Sequence, residues 1–126
     1  FYLLNKDYGL KAYKIGYDQR FAKNFIERCN DYSFEVEMLA QGRALSNAMK
    51  LTEADLKHRI INYNGNPIDK WCIGNTACEV DEVGNIRPRK MPAQNSKRID
   101  GSVTLIMLEE MFRRYRSDFQ KIIGGE

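Results

Sequence analysis

Histidine is nearly absent from this 126-residue chain, cysteine is scarce, and long apolar runs are missing. With one histidine (His58) and three cysteines (Cys29, Cys72, Cys78) in no CxxC spacing, no four-ligand zinc set can be assembled. The odd thiol count points to a reducing compartment rather than a disulfide framework. No apolar stretch approaches the ~18 residues of a membrane span, and no charged segment precedes a short apolar core, so neither a transmembrane helix nor a signal peptide is expected. The chain reads as soluble and cytosolic. None of the nine glycines lies in GxxxxGK[ST], GxGxxG or GxSxG, which excludes a P-loop motor, a dinucleotide fingerprint and a hydrolase elbow from this segment. A Ser-His-Asp or Cys-His set would have to use His58, which lies between Lys57 and Arg59 in a helical stretch and reads as a solvated helix-face residue.

What is present suits one mildly basic domain, with 20 Lys+Arg against 17 Asp+Glu and a net charge of +3. Phe1, Leu4 and Tyr8 fall at i, i+3 and i+7 ahead of Gly9, the pattern of a helix closed by a left-handed glycine. The apolar opening Phe1 to Leu4 is awkward as a free terminus and reads as the start of a fragment whose upstream part is missing. Leu10 to Tyr17 is expected to be a strand near a sheet centre, ending at Asp18. From Gln19 to Asn30 the residues Phe21, Phe25, Ile26 and Cys29 form a helical stripe. Ser33 to Ala40 alternates Phe34, Val36 and Met38 with Glu35 and Glu37, a half-buried strand. A second helix is expected to run to about Ile61 and to bury Leu45, Ala48, Met49, Leu56 and Ile60. Asn62 to Pro67 reads as a loop. The β-compatible runs of Trp71 to Val80 and Ile86 to Met91 flank Asp81 to Asn85 as a hairpin, and Pro92 to Lys97 is a polar link expected to be mobile. A last helix opens near Asp100 and runs through Tyr115, with Ile122 to Glu126 fraying. Alternating strands and helices indicate an α/β fold with helices layered on a sheet.

Two carboxylates stand apart. Asp18 follows a strand directly, the place where ligand chemistry gathers in open α/β sheets. Asp100 opens a helix. The alternative for both is helix capping through backbone N–H groups. Five of the 20 basic residues, Arg87, Arg89, Lys90, Lys97 and Arg98, fall within positions 86–99, where no acidic residue occurs. Such a cationic arm holds phosphates when set beside carboxylates that hold metal ions. The alternative is an ordinary charged loop, partly neutralised by Asp81 and Glu82. Arg113, Arg114 and Arg116 read as a solvated helix face.

The segments GYDQRFA (16–22), QGRALSNAMK (41–50), NGNPIDKWCIGN (64–75), DEVGNIRPRK (81–90) and KRIDGSVTLIM (97–107) occur in an order that resembles the C-terminal nuclease half of the large terminase subunit of tailed bacteriophages, or of prophages. The resemblance implies a ribonuclease H-like fold, truncated here at its N-terminus, with a β-hairpin insertion before the last helix. It implies Mg²⁺- or Mn²⁺-dependent cleavage of double-stranded, concatemeric DNA by two metal ions inside a genome-packaging machine. Asp18 and Asp100 then match catalytic metal ligands, and Asn75 and Lys90 match positions near the site. Tyr63 departs from the pattern, since relatives commonly carry a histidine before the NP turn. The opening strand with the first catalytic aspartate, and the ATPase motor, would lie upstream of Phe1, so the fragment alone is expected to bind metal weakly and cut little. Implied partners are double-stranded DNA, the small terminase subunit and the procapsid portal, with oligomers only in the packaging complex and a location in the cytoplasm of a bacterial host. The rival reading is a non-catalytic DNA-binding module, or one that docks on the portal through the Arg113 to Arg116 face.

Overall fold

Gly9 closes the first helix, α1 (Tyr2–Tyr8), in the left-handed conformation (φ 67°), which lets its N–H reach Asn5 O at 3.0 Å while the N–H of Leu10 reaches Leu4 O at 3.2 Å. The computed structural model describes residues 1–20, 22–92 and 96–125. These form a mixed α/β arrangement that divides into two compact units, Phe1–Ala40 with the part of the last helix from Arg114 onward, and Gln41–Arg113.

In the first unit, strands β1 (Ile15–Tyr17) and β2 (Val36–Met38) pair in parallel, with Ile15 opposite Val36 and Tyr17 opposite Met38. A parallel pair needs a crossover, and helix α2 (Lys23–Asp31) supplies it. The strands are shorter than the pattern suggests. Strand β1 begins only at Ile15, which leaves Leu10, 61% exposed, through Lys14 outside it, and α2 opens at Lys23 rather than Gln19. Cys29 is buried and Ile26 half-buried on the expected stripe, whereas Phe25 is exposed and Phe21 lies outside the described residues.

The expected alternation holds over Phe34, Glu35 and Val36, where the apolar residues are half-buried and the glutamate exposed, and breaks at Glu37 and Met38. Met38 is exposed, the buried apolar residue is Leu39, and Glu37 is turned into a polar clamp instead of facing water. The hydroxyl of Tyr115 and the guanidinium of Arg114 both donate to the Glu37 carboxylate. Tyr13 packs edge-on to Tyr115 at 6.4 Å, and Lys14 sits over the Tyr115 ring at 5.2 Å. The Tyr115 hydrogen bond, then those of Arg114 against the opposing effect of burial, hold the Glu37 carboxyl below its ordinary value, and the same bond pushes Tyr115 up. A depressed folded-state value contributes stability that is present above the ordinary glutamate range and is lost as pH falls through the folded value. Glu37→Gln is therefore expected to flatten the acid limb of a Tm-against-pH curve and to lower Tm at neutral pH by a few degrees, measured by thermal unfolding from pH 7 to 3.

The second unit begins with a 3₁₀ turn (Gly42–Leu45) that runs into helix α3 (Ser46–Lys57). Leu45 and Ala48 are buried, and Met49 packs on them, as the spacing requires. Helix α3 stops before Ile61 because Arg59 takes a left-handed φ of 57°, which throws Ile60 off the apolar stripe to 68% exposure. His58 caps that end, its Nδ1 2.7 Å from Ala54 O, and is exposed as the sequence indicates. The loop expected over Asn62 to Pro67 ends early. Asn66 Oδ1 accepts from Ile68 N at 2.9 Å and Pro67 takes the first helical position, starting α4 (Pro67–Gly74) where a strand was expected from Trp71.

Strands β3 (Thr76–Val80) and β4 (Ile86–Lys90) pair antiparallel around the five-residue loop Asp81 to Asn85. Bonds from Asp81 N to Asn85 O and from Met91 N to Asn75 O mark the hydrogen-bonded rungs, so Ile86, Pro88 and Lys90 point their backbone groups outward. Pro88, which has no N–H, fits there at no cost to the ladder. The outward N–H of Ile86 is satisfied by Ser46 Oγ at 3.0 Å, which fastens the hairpin to the start of α3. Helix α5 (Asp100–Gly124) follows and stays helical beyond Ile122 instead of fraying. Its Ile106, 3% exposed, closes the core on Leu45 and Ala48. The Pro92 to Lys97 link expected to be mobile includes residues 93–95, which lie outside the described residues.

Candidate functional site

Asp18 leaves the end of β1 in the first unit, 36% exposed at its side chain. Its Oδ1 accepts from Arg20 N at 3.0 Å, and Arg20 Nη2 stands 3.6 Å from Oδ2. This is an Asx turn, not a helix cap: α2 opens five residues later, at Lys23, with Ala22 at the cap position.

Asp100 is the first residue of α5 in the second unit and is exposed. It is not the cap either, since Ile99 O accepts the first helical bond from Val103 N at 3.0 Å. Its position is set by the corner between α4 and β3. Asn75, 3% exposed, ends α4 with its N–H shared between Trp71 O and Cys72 O, both at 3.1 Å. Its carbonyl accepts from Met91 N at 2.9 Å, and its side-chain Nδ2 donates to Arg98 O at 3.2 Å. Thr76 Oγ1 lies 2.8 Å from both Cys72 O and Ser102 Oγ. A carbonyl can only accept, so the threonine proton goes to Cys72 O and the Ser102 hydroxyl donates to Thr76.

Asn75, Lys90 and the start of α5 therefore converge on one corner of the second unit, with Lys90 directly opposite Thr76 across the hairpin. Asp18 belongs to the first unit. One residue at this corner has no signal in the spacing until α4 is known. Asp69 Oδ1 lies 3.1 Å from where a Cβ on Gly101 would sit, so a carboxylate flanks the first turn of α5 and complements its dipole.

The cationic arm is partly spoken for. Arg87 pairs with Glu79 directly across the hairpin, and Arg89 Nη1 is 3.7 Å from the same carboxylate. The Arg87 bond holds Glu79 below its ordinary value and raises Arg87 in turn. The main neutralising partner is thus Glu79, and the loop acid Asp81 adds a smaller attraction on Arg87. Asp81 instead spends its carboxylate inside the loop, on Val83 N at 3.0 Å and Asn85 N at 2.9 Å, and on Arg43 Nε at 2.9 Å. Counting rungs outward from the loop pairs residue 79 with residue 87, so this was readable once the loop was placed. Lys97 is half-buried and Arg98 exposed. The Arg113 to Arg116 cluster is less free than a solvated face, because Arg113 binds Glu110 at 2.9 Å and Arg114 binds Glu37.

Carboxylates are hard anionic oxygen donors, the chemistry that Mg²⁺ and Mn²⁺ select. Their number falls short, for among the described residues no group of three or more His, Cys, Asp or Glu is arranged to hold a metal ion. No helix of the described residues is long and apolar enough to cross a membrane.

The family model for the terminase large subunit, endonuclease domain, matches residues 4–115. The chain belongs to that family. The terminase resemblance carried by the ordered segments is thereby established over nearly the whole chain. A curated relative, Protein YmfN of Escherichia coli (strain K12), is 40% identical over 67 residues, which is 50% of this chain and 14% of that protein. The chain thus spans a small part of the relative it matches. No solved structure matches it.

Proposed function

We propose that this chain is part of a divalent-metal-dependent endonuclease that cuts double-stranded, concatemeric DNA during genome packaging, on a ribonuclease H-like fold whose hairpin is an insertion before the last helix. The observation that carries the reading is the family match across residues 4–115. Asp18 and Asp100 are two of the carboxylates that would hold Mg²⁺ or Mn²⁺. Further ligands, with the motor, come from polypeptide outside these 126 residues, in keeping with the 14% share of the matched relative. Such ions, when bound, neutralise charge at the scissile phosphate.

The chain's own residues do the rest. Asp18 stands at a strand end where its Asx turn fixes one oxygen and leaves the side chain partly exposed. Asp100 is presented to solvent by a helix start that the α4–β3 corner holds. Lys97, Arg98 and Lys90, with Arg87 and Arg89 beyond their shared Glu79, supply phosphate contacts that position a duplex without reading its bases. Portal docking through Arg113 to Arg116 is the weaker reading, since Arg113 and Arg114 are bound within the chain.

The test uses the natural polypeptide at its full encoded length with supercoiled plasmid. Nicking and linearisation in Mn²⁺, abolished by EDTA, is the expected result. Salt-sensitive DNA binding with no cleavage in any divalent metal would overturn the nuclease in favour of a binding module.

A further inference from the structure

We propose that Asn75 is a positioning residue for Asp100, acting through the Arg98 carbonyl; the inference rests on the nuclease reading above. The argument begins with what the backbone needs. Arg98 lies two residues before α5, outside its hydrogen-bond ladder, and the chain must turn there from the link into the helix. Its carbonyl receives the Nδ2 proton of Asn75 at 3.2 Å. Asn75 is itself immobilised, 3% exposed, with its backbone N–H bonded to the end of α4 and its carbonyl to Met91 at the end of the hairpin. A single buried residue thus ties the end of α4 and the end of the hairpin, through its backbone, to Arg98 just before α5, through its side chain.

Two further contacts hold the same turn. Ser102 donates to Thr76 at 2.8 Å, and Gly101 lies so close to α4 that a Cβ would meet Cys72 Cβ and Sγ at 3.2 Å. The first turn of α5 is therefore seated on the α4–β3 corner, and that seat sets where the backbone of Asp100 lies. A carboxylate that must meet a cation is sensitive to such placement, because a misplacement of about 1 Å can cost about 100-fold in rate. An amide at position 75 is required because it is the donor. Aspartate has the same shape but turns an acceptor toward an acceptor.

The test compares Asn75→Asp with the parent in the natural polypeptide at full encoded length, by plasmid cleavage in Mn²⁺, Mn²⁺ titration, and hydrogen exchange of the amides at 99–103. The expected result is a kcat lowered about 10–100-fold, the range for residues that orient metal ligands, with KM for DNA within about twofold. The Mn²⁺ concentration for half-maximal signal in the titration rises about tenfold, and exchange quickens at 99–103 while Tm shows the protein still folded. Asn75→Ser, too short to reach Arg98 but free of a buried charge, gives the same split should Asn75→Asp not fold. Parent kcat and Mn²⁺ affinity in a folded variant, or losses that only follow the unfolded fraction, overturn the positioning role. Asp100→Asn is run alongside. If it retains full activity Asp100 is not one of the metal-holding carboxylates, and a parent that cuts in no divalent metal removes the nuclease reading, whereas an inactive Asp100→Asn beside an active Asn75→Asp removes only the inference made here.

Discussion

Asp100→Asn is expected to lower Mn²⁺-dependent plasmid nicking by at least about 100-fold while leaving the fold and DNA affinity intact. Loss of a group that merely orients a metal ligand costs about 10–100-fold, so loss of a ligand sets that range as its floor. The structural cost should be small. Asp100 is exposed and occupies a first-turn position where an acidic charge contributes at most about 1 kcal/mol. Asp18→Asn is the companion. Asparagine keeps the oxygen that accepts from Arg20 N, so the Asx turn survives and a loss of activity reports the lost charge. The measurement is initial nicking rate at fixed Mn²⁺, with fluorescence anisotropy on a short duplex at the same salt. Two folded variants that cut like the parent would remove both aspartates from the chemistry.

Local grammar was legible and long-range pairing was not. The Gly9 helix stop and the DEVGN hairpin loop rest on backbone requirements that nearby residues declare, namely a positive φ and a five-residue turn. The Asn66-Pro67 cap was equally local, and it was outweighed by the turn-rich composition of NYNGNP, which hid α4. In β2 the period-two pattern pointed the wrong way at Met38 because Glu37 found Arg114 and Tyr115, partners 77 and 78 residues away. The contacts that seat Asp100 are of the same kind: Asn75 with Arg98 spans 23 residues, and Thr76 with Ser102 spans 26. Nothing in single-residue spacing announces them. The family was readable because five ordered segments together carry what no one of them does, and the match over residues 4–115 bears that out. The same resemblance named Asp18 and Asp100 for the chemistry; their surroundings answer only the capping alternative, which fails at both because the cap positions fall to Ala22 and Ile99.

Leu45→Ala is expected to be the most damaging truncation in the buried cluster of the second unit, at about 2–5 kcal/mol of stability. Leu45 is 2% exposed and meets Ala48, at 0%, and Ile106, at 3%, in the buried cluster of the second unit. Ala48 is already minimal, so it offers no bulk to fill the space left behind. Met49 and Met107 border the cluster, and their flexible thioethers can relax into part of the void, which places the expected cost in the lower half of that range. Ile106→Val removes one methyl group from the opposite side and should cost about 0.5–1.5 kcal/mol. Urea unfolding followed by far-UV circular dichroism measures both, with the midpoint falling at unchanged m-value. The functional consequence separates packing from positioning. Ile106 rides on α5 six residues beyond Asp100, so the cluster holds the helix down without touching its first turn. Leu45→Ala should therefore lower nicking only through the folded fraction, and activity per folded molecule should match the parent below the melting transition. Asn75→Asp, which disturbs the first turn directly, should fail that same normalisation.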